Sequence, residues 1–208
     1  MDRRRVTEPF TAVILAGGQG RRLGGVDKAA LEVGGRTLLG GVLEAAGGAA
    51  QTVVVGPPRD GLDGVVTVCE DPPGGGPLAA LATGVGAVQT DALVLLAADL
   101  PFVTRADVDS LLAALVAAPT VAAAVAIDDG GQLQWLLAAW RVDALRHALE
   151  RIGAPGGRPL RHLAAMVSVT ATTLPGDPRR RGPAWFDVDT AEQLSLARRS
   201  RERPTTAS

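Results

Sequence analysis

The 208 residues contain a single cysteine and only two histidines. Cys69 alone excludes an internal disulfide and any cysteine-based zinc site, and fits a reducing compartment. It lies in the apolar run "VVTVC" and is expected in the core as a small hydrophobe. His147 and His162 sit among arginines and alanines, where surface or packing roles are expected. A metal, if bound, must then be oxygen-ligated. An excess of charge of one sign is also missing. With 21 basic and 22 acidic residues the formal net charge is −1, so no basic field exists to hold a nucleic-acid backbone, and nucleic acid is excluded as a partner. Long apolar runs are absent too. None approaches the roughly 18 to 20 uncharged residues of a membrane span, and "MDRRRVTEPF" carries no apolar stretch of a secretory signal. A cytoplasmic protein without a membrane partner is expected.

What the chain does have is an alternation of short apolar runs with alanine- and leucine-rich segments of helical length. "TAVILAG", "TVVVG", "VVTVC" and "ALVLLAAD" read as buried strands. "RTLLGGVLEAA", "GPLAALATGVGAVQ" and "TRADVDSLLAALVAA" read as helices, the last with Thr104 as N-cap. Further strands are expected at "VAAAVAI", "LQWLLAAW" and "MVSVTAT". This pattern predicts an α/β fold: a Rossmann-like three-layer α/β/α sandwich with a mostly parallel central sheet. One domain is expected over residues 11–200, with tails at 1–10 and 201–208. In such a fold the carboxyl ends of the strands carry the chemistry. Those ends are Ala16 to Gly18, Gly56, Glu70 with Asp71, and Asp99.

The first of these ends reads "LAGGQGRRLGGVDKAAL". Backbone N–H groups wrap an anion only where side chains do not intervene, so glycines with flanking cations point to phosphates. The dinucleotide fingerprint would need a glycine where Leu23 stands, and the P-loop needs Ser or Thr where Ala29 stands. Neither pattern fits.

The stretch resembles the signature of nucleotidyltransferases that activate sugars and cofactors, L-A-G-G-x-x-x-R-M-G-x-D-K. The nearest likeness is to the molybdenum cofactor guanylyltransferases, with Leu23 in the place of methionine. "CEDPPGGGPLAALATGV" is similar to the family's E-D-x-x-x-G-x-G-P-L-A-G segment, "LAADLPFV" to its D-x-P motif, and "GGRPLRHLAAM" and "FDVDTAEQL" to its late basic loop and N-x-N-T-P-E-E-L element. The resemblance implies Mg²⁺-dependent transfer of GMP from GTP to the phosphate of molybdopterin or its molybdenum form, with release of pyrophosphate. Molybdoenzymes or their chaperones follow as candidate partners.

By the same resemblance Lys28 contacts the transferring phosphate, Arg22, with Arg21 beside it, holds the departing phosphates, and Asp99 binds the metal. Leu15, Ala16, Gly17, Gly18, Asp71, Gly76, Pro77 and Leu78 complete the nucleotide site, and Asp189 or Asp187 is a candidate second metal ligand. The main chain of Leu15 to Gly17 is expected to read the base. From local chemistry Asp71 is equally a turn-former before Pro72, and Asp99 could instead cap a helix, although Thr104 stands in the better position. The basic loops around Arg158, Arg161 and Arg179 to Arg181 could meet the acceptor's phosphate. Two departures stand out: Gly56 replaces an asparagine, and Asp187 and Asp189 replace the asparagines of N-x-N-T, an ending of relatives that transfer other nucleotides. A cytidylyltransferase of the same fold, or one acting on another small phosphorylated acceptor, is the alternative. A nucleotide-binding protein without catalysis is the alternative of a different class.

Overall fold

The computed structural model describes residues 8–20, 24–175 and 182–202. Five apolar runs become the middle of one seven-stranded sheet: β1 (Phe10–Leu15), β6 (Gln51–Val55), β8 (Ala92–Ala97), β9 (Ala123–Ile127) and β10 (Leu133–Arg141). Its edges are β7 (Val66–Val68) and β11 (Val169–Thr172), and the order is β11-β9-β10-β8-β1-β6-β7. Within it β10 runs antiparallel to both neighbours, and every other pairing is parallel. Two short hairpins lie outside the sheet, β2 (Gln19–Gly20) with β3 (Val26–Asp27) and β4 (Glu32–Val33) with β5 (Arg36–Thr37).

Because side chains alternate along a strand, β1 divides its residues between two cores. Ala12 and Ile14 pack with α1 (Leu38–Ala45) and α3 (Arg105–Ala117), while Val13 packs with α2 (Pro77–Gly86) and α4 (Val142–Ile152) on the opposite face. Helices thus cover both faces in three layers. The glycine inside α2 has a packing reason: a β carbon on Gly84 would come within 2.7 Å of Val13 Cγ1. A third cluster seats α5 (Ala191–Glu202) through Leu194 and Ala197 on Val33, Leu38 and Phe102. The expected cap of α3 is present, with the Asp107 carboxylate accepting from the Thr104 N–H at 2.9 Å and its hydroxyl at 2.7 Å.

Several expectations need correction. "VVTVC" forms an edge strand whose Val66 is exposed, and Cys69 beyond it is exposed as well. Apolar composition marks a strand but not its distance from the sheet's edge. Helix α1 begins at Leu38, since Arg36 and Thr37 belong to a hairpin and the Thr37 hydroxyl caps the helix by accepting from the Gly40 N–H. Phe10, assigned to a tail, begins β1 and is buried, and α5 runs through Glu202, past the expected boundary at 201. No helix among the described residues is long and apolar enough to cross a membrane.

Candidate active site

The carboxyl ends of β7, β1 and β8 open on a cavity of about 360 Å³. Leu15, Ala16, Gly17 and Gly18 form its floor, Gly76 and Pro77 at the start of α2 one wall, and Lys28 and Asp99 its charged end. Those sequence-predicted residues therefore converge. Asp71 does not line the cavity; it is exposed in a bend and joined to Pro72 by a cis peptide bond. The Leu78 side chain is fully buried under the sheet. Arg21, Arg22 and Arg179 to Arg181 lie outside the described residues. His147 and His162 are exposed, as expected.

Lys28 opens a 3-10 turn, Lys28–Ala30, capped by Asp27, whose carboxylate accepts from the Ala29 N–H at 3.2 Å. The turn aims the ammonium at the end of β8, where it donates to Asp99 at 3.0 Å and also to Asp189. Asp189 is brought there by two devices. The Val188 N–H donates to the Asp99 carbonyl at 3.1 Å, and the Thr190 and Gln193 side chains cap α5, with Gln193 accepting from the Asp189 N–H at 2.8 Å. Burial alone would lower the Lys28 pKa, but the bonds to Asp189 and Asp99 outweigh it and raise it. Asp187 keeps part of its surface in water, yet desolvation of its carboxyl, followed by the charges of Asp189 and Asp99, raises its pKa. Three carboxylates around one ammonium leave an anionic site short of cation.

That deficit suits a divalent ion. Among the described residues no three or more His, Cys, Asp or Glu side chains form a metal cage. Two carboxylates are what Mg²⁺ takes when substrate phosphates and water supply its other oxygens. The donors present, Asp99 and Asp189, are hard oxygens already gathered around a positive charge. Asp189 rather than Asp187 makes the bond to Lys28.

Two further residues belong to the site, and the first of them carries no signal in the local sequence. Arg59, in the loop after β6, donates to both carboxylate oxygens of Asp27 at 3.1 and 2.8 Å and to the Ala16 carbonyl at 2.8 Å. It thereby joins the two ends of the glycine-rich loop. Gly56 makes this approach possible, since a β carbon there would lie 2.8 Å from the Ala16 carbonyl carbon. Arg59→Ala is expected to lower kcat about tenfold by loosening Lys28 and to cost about 1–2 kcal/mol of stability. Steady-state kinetics and urea denaturation check both effects; Arg59→Lys, lacking the planar fork, should recover little.

The second is Glu70. The main chain expected to read the base is partly engaged: the Leu15 carbonyl accepts from the Ala98 N–H at 3.0 Å, the Ala16 N–H donates to the Val55 carbonyl at 2.7 Å, and the Ala16 carbonyl accepts from Arg59. Glu70, following β7, lines the cavity, and among the described residues its carboxylate has no hydrogen-bond or ion-pair partner. At about 4.8 Å per strand, β7 stands about 14 Å from β8, so Glu70 and the Lys28–Asp99 pair mark opposite ends of the cavity.

The sequence profile of the MobA-like NTP transferase domain matches residues 12–169, from the first strand to the last. The chain belongs to this family. Relatives include the molybdenum cofactor guanylyltransferase of Bradyrhizobium sp. (strain ORS 278), 33% identical over 93% of this chain and 93% of the relative. That of Acidiphilium cryptum (strain JF-5) is 38% identical over 87% and 93%. In fold the chain resembles molybdopterin-guanine dinucleotide biosynthesis protein A from Archaeoglobus fulgidus, with a TM-score of 0.70 and 22% identity over 91% of this chain and 97% of that one. It also resembles 2-C-methyl-D-erythritol 4-phosphate cytidylyltransferase from Thermus thermophilus, at 0.68 and 23% over 94% and 100%.

Proposed function

We propose that the protein transfers GMP from GTP to the phosphate of molybdopterin or its molybdenum form. An oxygen of the acceptor phosphate bonds to the α-phosphorus as the bridging α–β bond breaks, and pyrophosphate leaves with the electron pair. The observation that carries this reading is the Lys28 ammonium held at the mouth of a glycine-lined cavity by two carboxylates. The names of the relatives supply the nucleotide and the acceptor.

In this reading the glycine backbone cradles the triphosphate, and Lys28 counters the charge that builds on the α-phosphoryl oxygens. Asp99 and Asp189 hold Mg²⁺, which when bound supplies charge neutralisation and orientation of the phosphates. Arg22 keeps its assignment to the departing phosphates on sequence grounds. Glu70 reads the base. A carboxylate only accepts hydrogen bonds, and guanine offers it a neighbouring pair of donors, N1–H and the 2-amino group, whereas cytosine and adenine offer one amino group each on the corresponding edge. Glu70→Gln puts an N–H donor against one of guanine's donors. It is expected to lower the ratio of kcat/KM for GTP over CTP by about tenfold or more, with CTP turnover little changed; an unchanged ratio removes Glu70 from base reading.

The test of the reaction itself is pyrophosphate release from purified protein with molybdopterin, Mg²⁺ and each of the four nucleoside triphosphates. Release with GTP alone supports the reading. Equal release with CTP moves the protein to the cytidylyl-transferring members of the fold, and release with none leaves a nucleotide-binding protein.

A further inference from the structure

A cavity of about 330 Å³ opens at the opposite edge of the sheet and shares no lining residue with the glycine-lined one. Its frame is the amino ends of β9 and β11 together with the carboxyl end of β10, which runs against β9. Main-chain bonds fix that frame: the Ala122 N–H donates to the Ser168 carbonyl at 2.8 Å, and the Arg141 N–H to the Ala122 carbonyl at 2.9 Å. Helix α4 closes the cavity through Ala144, His147, Ala148 and Arg151, the i, i+3, i+4, i+7 set of a single helix face.

The charges on this lining are of one sign. Its ionisable side chains are Arg141, His147 and Arg151, and no Asp or Glu among the described residues lines it, in a chain whose formal net charge is −1. Helix α4 keeps its acids elsewhere: at about 100° per residue, Asp143 and Glu150 fall roughly 100° round from the centre of the cavity face. There Asp143 pairs with Arg146 at 3.8 Å. Arg141 is set in place from behind. Its Nε and Nη2 donate to the Val121 and Leu115 carbonyls at 3.1 and 2.9 Å, while Nη1 has no partner among the described residues. His147 and Arg151 are exposed, and among the described residues neither side chain has a hydrogen-bond or ion-pair partner. Gathering like charges costs free energy, and a bound anion offsets it.

We infer that this cavity binds a small organic phosphate monoester, its phosphate held by Arg141 and Arg151 with His147 beside them and its organic body laid over Ala144, Ala148, Met166 and Val167. Guanidiniums present paired donors that match phosphate oxygens. The apolar part of the lining favours a phosphate that carries carbon over inorganic phosphate, because it gains by being covered. The site stands on its own chemistry and depends on neither the nucleotide nor the transfer reaction.

The chain's two histidines make the test direct, because His147 lines this cavity and His162 lies outside it in the 3-10 turn Leu160–Ala165. Phenyl phosphate, inorganic phosphate and phenol are titrated into the full-length protein at constant pH while proton NMR follows the two imidazole signals, assigned with His147→Gln and His162→Gln. Phenyl phosphate is expected to move the His147 signal saturably, with a Kd of about 1 mM or tighter. Inorganic phosphate should bind at least about threefold more weakly, and phenol should leave the signal in place. Arg151→Gln should weaken phenyl phosphate binding about tenfold, and Arg151→Lys should weaken it less, since the charge stays and the fork is lost. Arg146→Gln removes the same charge from the same helix but off the cavity face, and should leave the affinity within about twofold. The inference is overturned by a His147 signal that phenyl phosphate does not move, by movement of His162 alone, or by a matching response to phenol. Equal affinity for inorganic phosphate overturns it too, as does equal weakening by Arg151→Gln and Arg146→Gln.

Discussion

Asp99→Ala is expected to reduce pyrophosphate release by at least about a hundredfold, the scale on which removing one electrostatic catalyst acts, and to leave the protein folded. The carboxylate stands at the solvent-facing end of β8 with a fifth of its side-chain surface exposed, and its polar contact is the Lys28 ammonium, which keeps Asp189. The backbone carbonyl that accepts from Val188 is untouched by the substitution. Loss of stability should therefore stay near about 1 kcal/mol, readable by thermal denaturation. Asp99→Asn, equal in shape and lacking the charge, should be nearly as inactive. Near-normal turnover of Asp99→Ala across a range of Mg²⁺ concentrations would show that this carboxylate holds no metal.

Lys28→Ala is expected to lower kcat by about a hundredfold or more while KM for GTP rises less than about tenfold, because its charge matters most where negative charge accumulates in the transition state. Lys28→Arg should recover little, since a planar guanidinium does not fit between Asp99 and Asp189 as a compact ammonium does. Removing the ammonium also leaves Asp99, Asp187 and Asp189 without their common counter-charge. Added Mg²⁺ should thus raise the melting temperature of the variant more than that of wild type. A defect confined to KM, with unchanged kcat, would make Lys28 a holder of the triphosphate and not a participant in the chemical step.

Much of this was legible in the chain. The strands β1, β6 and β8 are apolar runs leading into glycine or aspartate, and such runs identify both the element and the residue delivered to the edge. Lys28 and Asp99 could be read because each belongs to a compact motif. Asp187 and Asp189 could not be separated, since residues two apart on an extended segment share a side; the buried Val188 between them fixes that side, and only the cap of α5 by Gln193 selects which carboxylate meets Lys28. Arg59 was invisible for another reason. Its partner Asp27 is 32 positions away and "PPRDG" reads as an ordinary turn, so nothing local separates this arginine from a solvated one. Glu70 hid behind Asp71, because adjacent carboxylates at a strand end differ only in the direction the backbone gives them.

The bond between Lys28 and Asp189 spans 161 positions of sequence. When synthesis has passed Leu136, every residue that lines the glycine-rich cavity, Asp99 included, has been made, while Asp189 has not. Lys28 then has Asp99 alone. Domains fold progressively as they emerge from the ribosome, and contacts of the longest sequence separation close last. The charge cluster is therefore a late event, completed when α5 has been delivered and capped.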